Sequence, residues 1–395
     1  MKQGWTYKKL GEVCDFEGGS QPPKSEWINH PQDGYVRMLQ IRDFTKSRNA
    51  EIEYVKITKK LRICKSDDIL IGRYGASVGK ILTGLAGAYN VAIIKSIPDE
   101  EVIRKDFIRR YFESSLFQSL LFKVCTSRAA QAGFSKDDIK DELVPIPSLS
   151  EQQRIVSRLD AAFAHIDELK ANAEKQLNDA RTLFQKALEE AMKPKEGWEE
   201  KKLGDICDIF GRIGFRGYTT KDLVQSPSDG AISLSPSNIQ DGKMDYSKLT
   251  YISWFKYEES PEIKIYNGDI LLVKTGSSFG KSALVHDLPH EATINPQSVV
   301  LKNCKINSVF FAYQLRTARV LDEFNHFVSG TAIPTFSQAK LSTVPIQYPS
   351  NDTQQRIASR LDSLSSNVKK LEEIMQKTVA ECDALKQAML RQVFE

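Results

Sequence analysis

The chain has 395 residues, 41% hydrophobic and 27% charged, with a formal net charge of +4. This allows two or three globular domains, each able to bury its own core, and a mildly basic balance that permits nucleic-acid binding without requiring it. No unbroken apolar stretch reaches membrane-spanning length, no apolar leader stands at the N-terminus, and the six cysteines (Cys14, Cys64, Cys125, Cys207, Cys304, Cys382) form no C-x-x-C pair; a cytoplasmic protein with reduced thiols and no metal site is expected.

The first segment, 1–150, opens on Gly4-Trp5 and Lys9-Leu10-Gly11-Glu12-Val13-Cys14-Asp15. Short β-rich runs over 35–41, 69–74 and 90–94 predict strands, and aromatic and leucine residues on one face predict helix over 105–125. Asp68-Ile69-Leu70-Ile71 leads into Gly75-Ala76-Ser77-Val78-Gly79-Lys80, and Phe134-Ser135 and Val144-Pro145-Ile146 close the segment.

A long helix is predicted over 151–196. Its apolar residues Ile155, Leu159, Ala162, Ile166, Leu169, Ala173, Ala180, Leu183 and Ala187 follow steps of four and three, a heptad seam that reads as a coiled coil. Lys193-Pro194-Lys195-Glu196-Gly197 supplies the stop signal.

The same order then returns. Segment 197–350 carries Gly197-Trp198, Lys202-Leu203-Gly204-Asp205-Ile206-Cys207-Asp208, Asp269-Ile270-Leu271-Leu272, Gly276-Ser277-Ser278-Phe279-Gly280-Lys281, Phe336-Ser337 and Val344-Pro345-Ile346. Strands are predicted over 270–275 and 297–301 and helix over 308–327. A second long helix over 351–395 repeats the seam 202 residues on, through Ile357, Leu361, Leu364, Val368, Leu371, Met375, Thr378, Cys382, Leu385 and Met389. The chain is a tandem duplication: two α+β domains separated by two long helices, with an intramolecular coiled coil as the expected fold. Its core is expected to use Ile155, Leu159, Ile166, Leu169 and Leu183 against Ile357, Leu361, Leu364, Val368, Leu371, Leu385 and Met389. The interiors differ, with Gly18-Gly19-Ser20-Gln21-Pro22-Pro23-Lys24 in one copy and Gly211-Arg212-Ile213-Gly214-Phe215-Arg216-Gly217-Tyr218 in the other. Shared frames with divergent interiors fit two binding units that read different targets.

No catalytic constellation assembles. Gly276 to Ser282 resembles a phosphate loop, but three residues instead of four separate its glycines, and the copy at Gly75–Lys80 continues with Ile81, not a hydroxyl residue. A tight turn with glycines at positive φ is the better reading. Asn295-Pro296-Gln297-Ser298 lacks the second proline and the aromatic of the amino-methyltransferase motif, and the five histidines show no metal-ligand spacing. Distributed DNA contacts are expected instead from Arg73, Tyr74, Ser77, Lys80, Arg128 and Gln131 in the first domain. Arg212, Arg216, Lys274, Thr275, Ser277 and Lys281 are their counterparts in the second. Arginine, glutamine and serine can read base edges, and lysines hold phosphates.

Two motifs complete the pattern: Ser150-Glu151-Gln152-Gln153-Arg154-Ile155 opens the first helix, and Asp352-Thr353-Gln354-Gln355-Arg356-Ile357 opens the second. With the Gly-Trp-x3-Lys-Leu-Gly openings and Asp-Ile-Leu before Gly-x3-Gly-Lys, all in order and twice, the chain resembles the specificity subunits of type I restriction–modification systems. One departure is that the first domain lacks the Ile-Pro seen as Ile333-Pro334 before Phe-Ser. The resemblance implies a non-catalytic subunit whose two target-recognition domains each read one half of a split double-stranded DNA site. It also implies that the two long helices form an antiparallel coiled coil that holds the domains apart and docks two methyltransferase subunits carrying S-adenosylmethionine and adenine-N6 chemistry, joined by restriction subunits that use ATP and magnesium. This chain itself would hold no cofactor. About 38 helical residues at ~1.5 Å each would give a spacer of roughly 57 Å, against about 34–36 Å between successive major-groove faces. The rival expectation is a coiled-coil scaffolding or DNA-binding protein outside restriction–modification.

Overall fold

A computed structural model describes residues 4–45, 51–126, 133–212, 214–326 and 337–395, with the side chain of Phe215 left aside. Within them the chain forms two compact units, Met1–Glu174 with Met375–Glu395, and Lys175–Ile374.

In the first unit, strand Thr6–Lys9 pairs antiparallel with Leu143–Ile146 and so ties the start of the domain to the residues that enter the first long helix. A four-stranded antiparallel sheet runs Cys14–Gly18, Ile93–Pro98, Ile69–Gly72, Ile81–Leu82. A second four-stranded sheet, Tyr54–Lys56, Tyr35–Leu39, Gly87–Tyr89, Ile63–Cys64, contains one parallel pair, Tyr35–Leu39 with Gly87–Tyr89. Helices Lys105–Glu113 and Ser115–Thr126 bury Phe107, Tyr111, Phe112 and Phe117 against the first sheet and the long-helix residues Ile155, Leu159, Phe163, Leu390 and Phe394.

The second unit repeats this plan. Glu199–Lys202 pairs with Pro345–Tyr348, and a four-stranded sheet runs Asp208–Gly211, Ser298–Lys302, Ile270–Val273, Ser282–Leu284. A five-stranded sheet is built around Gly230–Leu234, again with one parallel neighbour, Ala292–Ile294. Helices Ser308–Gln314 and Ala318–His326 close the core, and Leu188, Met192, Phe310, Tyr313, Ala358 and Leu361 form the cluster on the long helices.

Two predicted elements divide. The helix expected over 105–125 breaks at Ser114, whose hydroxyl donates to the Tyr111 carbonyl at 2.6 Å; Thr317 does the same to Gln314 at 2.7 Å in the second unit. The strand expected over 90–94 is a turn followed by strand Ile93–Pro98, because the Asn90 side chain accepts the Ala92 N–H. The end of the 308–327 helix, Ile333-Pro334 and Phe336 fall outside the described residues.

The long helices span Leu149–Ala191 and Asn351–Phe394. In the first unit they run antiparallel, with Asp167 paired to Lys386 and Lys170 to Asp383; in the second unit Arg181 pairs with Glu372. The seam differs from the expected one by a row. Leu169, Leu183 and Leu385 are 58%, 69% and 51% exposed. The neighbouring positions Phe163, Lys170, Leu177 and Phe184, with Lys386 on the second helix, turn inward instead. Ile155, Leu159, Ile166 and Leu361 are buried, and Ile357, Leu364, Val368, Leu371 and Met389 half-buried. Two residues of the seam row are lysines, so counting apolar residues selects the wrong alternate row.

The Gln-Gln-Arg-Ile motif has a structural reason. Gln152 is fully buried; its Nε2 donates to the carbonyls of Val102 and Pro147, and its Oε1 accepts the Arg104 N–H. Gln354 repeats this with Pro349 and Asn307. Each glutamine locks the start of a long helix to its own domain by satisfying backbone groups that would otherwise be buried unpaired.

Candidate nucleic-acid interface

Strands Ile69–Gly72 and Ile81–Leu82 are joined by the Arg73–Lys80 loop. Its backbone is self-satisfied: Gly79 N–H donates to the Gly72 carbonyl and Gly72 N–H to Lys80, both at 3.0 Å, while Ser77, Val78 and Lys80 N–H groups donate to Tyr74, Gly75 and Ser77. Gly75 and Gly79 take φ of +57° and +78°. The second-unit loop has the same closure, with Gly280 N–H to Val273 and Val273 N–H to Lys281, and Gly276 and Gly280 at +99° and +81°. Both are hairpin turns that need glycine at positive φ. The turns consume the amides of residues 77–80 and 279–281 internally, so those N–H groups are not offered to phosphates. Contacts there fall to side chains.

In the first unit the loop base gathers several polar groups. Arg73 Nε donates to the Phe134 carbonyl at 3.2 Å, and its guanidinium lies 5.1 Å from the Tyr74 ring centre. Tyr74, 40% exposed, pairs as a β-bridge with Gly133. The Gly18-Gly19-Ser20 segment runs alongside: a Cβ on Gly18 would sit 3.3 Å from Arg73 Nη1, and Ser20 N–H donates to the Tyr89 carbonyl. The structure thus brings Arg73, Tyr74, Gly18–Ser20 and the Asn90 turn together, with Lys80 exposed and Ser77 half-buried on the same hairpin. Arg128 and Gln131 lie outside the described residues.

In the second unit Lys274 N–H donates to the Gln297 carbonyl at 2.8 Å, and burial pushes its ammonium pKa down. Thr275 is half-buried, and Ser277 and Lys281 are exposed. Arg212 departs from the expectation. It is 6% exposed; Nε donates to the Ile294 carbonyl at 3.2 Å, Nη2 to Thr293 Oγ1 at 3.1 Å and Nη1 to the Arg216 carbonyl at 3.3 Å. Desolvation lowers its pKa, yet three acceptors hold the guanidinium, which pins the glycine-rich segment to strand Ala292–Ile294. It is an internal strut, not a surface contact. Arg216 Nη1 reaches Glu262 at 3.4 Å.

Sequence reasoning missed the residues that shape these edges. Asn295 Oδ1 accepts the Gln297 N–H, as Asn90 accepts Ala92. An asparagine three residues before strand Ile93–Pro98, and again before strand Ser298–Lys302, was the available signal. Gln118 Nε2 braces the first hairpin through the Gly79 carbonyl at 2.8 Å.

A separate groove of about 380 Å³ in the first unit is lined by Trp5, Ile155, Leu159, Ala162, Met389 and Val393, with Glu151, Arg158 and Gln392 at its edge. Among the described residues no helix is long and apolar enough to cross a membrane.

The chain matches the model of the type I restriction modification DNA specificity domain twice, over residues 2–179 and 195–378. It is 24% identical over 390 residues to the type I restriction enzyme MjaVIII specificity subunit of Methanocaldococcus jannaschii, covering 93% of this chain and 87% of that protein. It is 22% identical over 422 residues to the EcoBI specificity subunit of Escherichia coli, covering 100% and 86%. Among solved structures, a chain from work on complex assembly and conformational transition of the type I R-M system superposes with a TM-score of 0.76 at 19% identity, covering 100% of this chain and 98% of the other. The HsdS subunit of Thermoanaerobacter tengcongensis superposes with a TM-score of 0.54 at 18% identity, covering 99% and 97%. With the same domain matched in both halves and the duplicated fold shared along its whole length, this chain belongs to the type I restriction–modification specificity family.

Proposed function

We propose that this chain is the DNA-reading subunit of a type I restriction–modification complex, that each α+β domain reads one half of an asymmetric bipartite site, and that it carries no catalytic group of its own. The observation that carries this reading is the paired hairpin. Both units present the same self-closed loop, yet set it beside different segments: Gly18–Ser20 with Arg73 and Tyr74 in one, and the Arg212-anchored glycine-rich segment with Lys274 and Gln297 in the other. A common scaffold with unlike polar edges suits two unlike half-sites, since base readout depends on the few side chains that reach the groove.

Methylation and cleavage would then belong to partners: two methyltransferase subunits that bring S-adenosylmethionine, and restriction subunits that bring ATP and magnesium. The Trp5–Val393 groove, apolar with a charged edge, supports a protein docking there. Work would take place in the cytoplasm, where the DNA is.

Co-expression with the methyltransferase subunit of its own system, followed by single-molecule sequencing for N6-methyladenine, tests the reading. A split motif that vanishes when this chain is omitted is expected. Methylation of the same motif without this chain, or by this chain alone, would overturn it.

A further inference from the structure

The ion pairs between the long helices carry a sign pattern that follows the 202-residue repeat. In the first unit Lys170 Nζ lies 2.9 Å from Asp383 and Lys386 Nζ 2.5 Å from Asp167; in the second, Arg181 Nε lies 2.7 Å from Glu372. The repeat carries Lys170 onto Glu372 and Arg181 onto Asp383. The Lys170–Asp383 and Arg181–Glu372 pairs are therefore equivalents with their signs exchanged: both cations stand on the first helix and both anions on the second. Lys170 and Glu372 occupy the inward row, 30% and 26% exposed, where a charge decides which helix is accepted.

In all three pairs the partner numbers add to 553. The same antiparallel contacts made between two copies of the first half would set Lys170 against Arg181 of the other copy, twice by symmetry. Two copies of the second half would set Glu372 against Asp383 and Lys369 against Lys386, each twice. The apolar rows would not object: self-pairing of the first helix places Leu159 opposite Met192 and Phe163 opposite Leu188, all four buried residues. Discrimination must come from the charges.

We propose that these ion pairs make the helical seam accept only the complementary half of the chain and reject a second copy of its own half, so that unlike recognition domains are always joined. Each exposed pair contributes little to stability by itself. Specificity is a difference, however, and here attraction in one pairing stands against repulsion at two to four sites in the other.

A protease site placed in the exposed 193–197 turn of the full chain allows the folded protein to be cut into two associated halves. After unfolding and refolding the halves together, native mass spectrometry counts unlike and like pairs. The wild-type sequence is expected to return unlike pairs, with like pairs below about one-tenth of the total. In the double variant Arg181→Glu/Glu372→Arg the unlike pairing keeps an attraction with its sign exchanged, whereas both self-pairings gain one. Like pairs should then rise by about tenfold, most for the first half, because Lys369 still opposes Lys386 in the second. A statistical mixture from the wild-type halves, or like pairs unchanged in the double variant, would overturn the proposal.

Discussion

The side-chain oxygen of Gln152 accepts the backbone N–H of Arg104 at 2.8 Å, joining the first turn of a long helix to the start of a domain helix 48 positions earlier. The amide of the same side chain spans two further carbonyls, so one buried side chain satisfies three backbone groups, that of Pro147 fully buried and those of Val102 and Arg104 partly so. Gln152→Ala is expected to lower unfolding free energy by about 2–4 kcal/mol, since each orphaned buried group costs roughly 1–3 kcal/mol. Gln152→Glu should be no better, because a carboxylate oxygen would face two carbonyls. Gln153, exposed on the next position, should tolerate alanine within about 0.5 kcal/mol. Urea unfolding of the three variants checks the contrast.

Gly79 and Gly75 lie in one hairpin at positive φ but in different surroundings. A Cβ on Gly79 would collide with the Gln118 side-chain oxygen, whereas nothing lies within 4 Å of one on Gly75. Gly75→Ala therefore carries only the backbone cost, about 1 kcal/mol, and Gly79→Ala about 2 kcal/mol or more. Thermal unfolding should rank them in that order. Gly79→Ala should also weaken methylation at one half-site only, through displacement of the hairpin.

How far the sequence discloses this molecule depends on which interactions leave a pattern. The duplication, the two long helices and the hairpin glycines are legible because turn chemistry and heptads recur at a fixed offset. The seam row is legible only by half. Leu169, Leu183 and Leu385 satisfy an apolar count, while the true row contains Lys170 and Lys386, each held by a carboxylate on the facing helix. Arg212 misleads for a related reason. An arginine among glycines reads as a surface contact, and its three acceptors come from residues 216, 293 and 294, the last two some eighty positions away.

Asp68 offers a test by pH. Burial alone would push its carboxyl up, but the Lys65 N–H and the Lys105 ammonium outweigh that and hold it below the usual carboxylate range. A carboxyl depressed in the folded state adds stability above its unfolded pKa, near 3.9, and that contribution disappears as pH falls through the folded value. Asp68→Asn should cost about 1–2 kcal/mol at pH 7. The gap between variant and wild type should close progressively below about pH 4. Denaturant unfolding at pH 7 and pH 3 measures both; an equal gap at the two values would contradict the assignment.

Lys80 and Lys281 project from equivalent hairpins, exposed, each next to its own candidate reading edge. If they hold phosphates, Lys80→Ala and Lys281→Ala should each weaken DNA binding by the assembled methyltransferase without altering the methylated motif. The slope of log affinity against log salt should fall by about one in each case. Changing Tyr74 or Lys274 should instead relax sequence preference, and only within one half-site. Binding titrations at several salt concentrations, paired with methylation sequencing, separate the two behaviours.

The spacing role of the helices can be tested without touching either reading edge. Removing residues 173–179 together with 374–380 takes one heptad from each helix and leaves Lys170–Asp383 and Arg181–Glu372 in the chain. A heptad preserves the inward rows, and at ~1.5 Å per residue it shortens each helix by roughly 10 Å, close to three base pairs at ~3.4 Å each. If helix length sets the gap, the variant should methylate sites with a shorter gap and unchanged half-sites. An unchanged gap from a folded, DNA-binding variant would show that something other than helix length fixes the separation. The outcome is read from one sequencing experiment on the co-expressed complex, with the unmodified chain as reference.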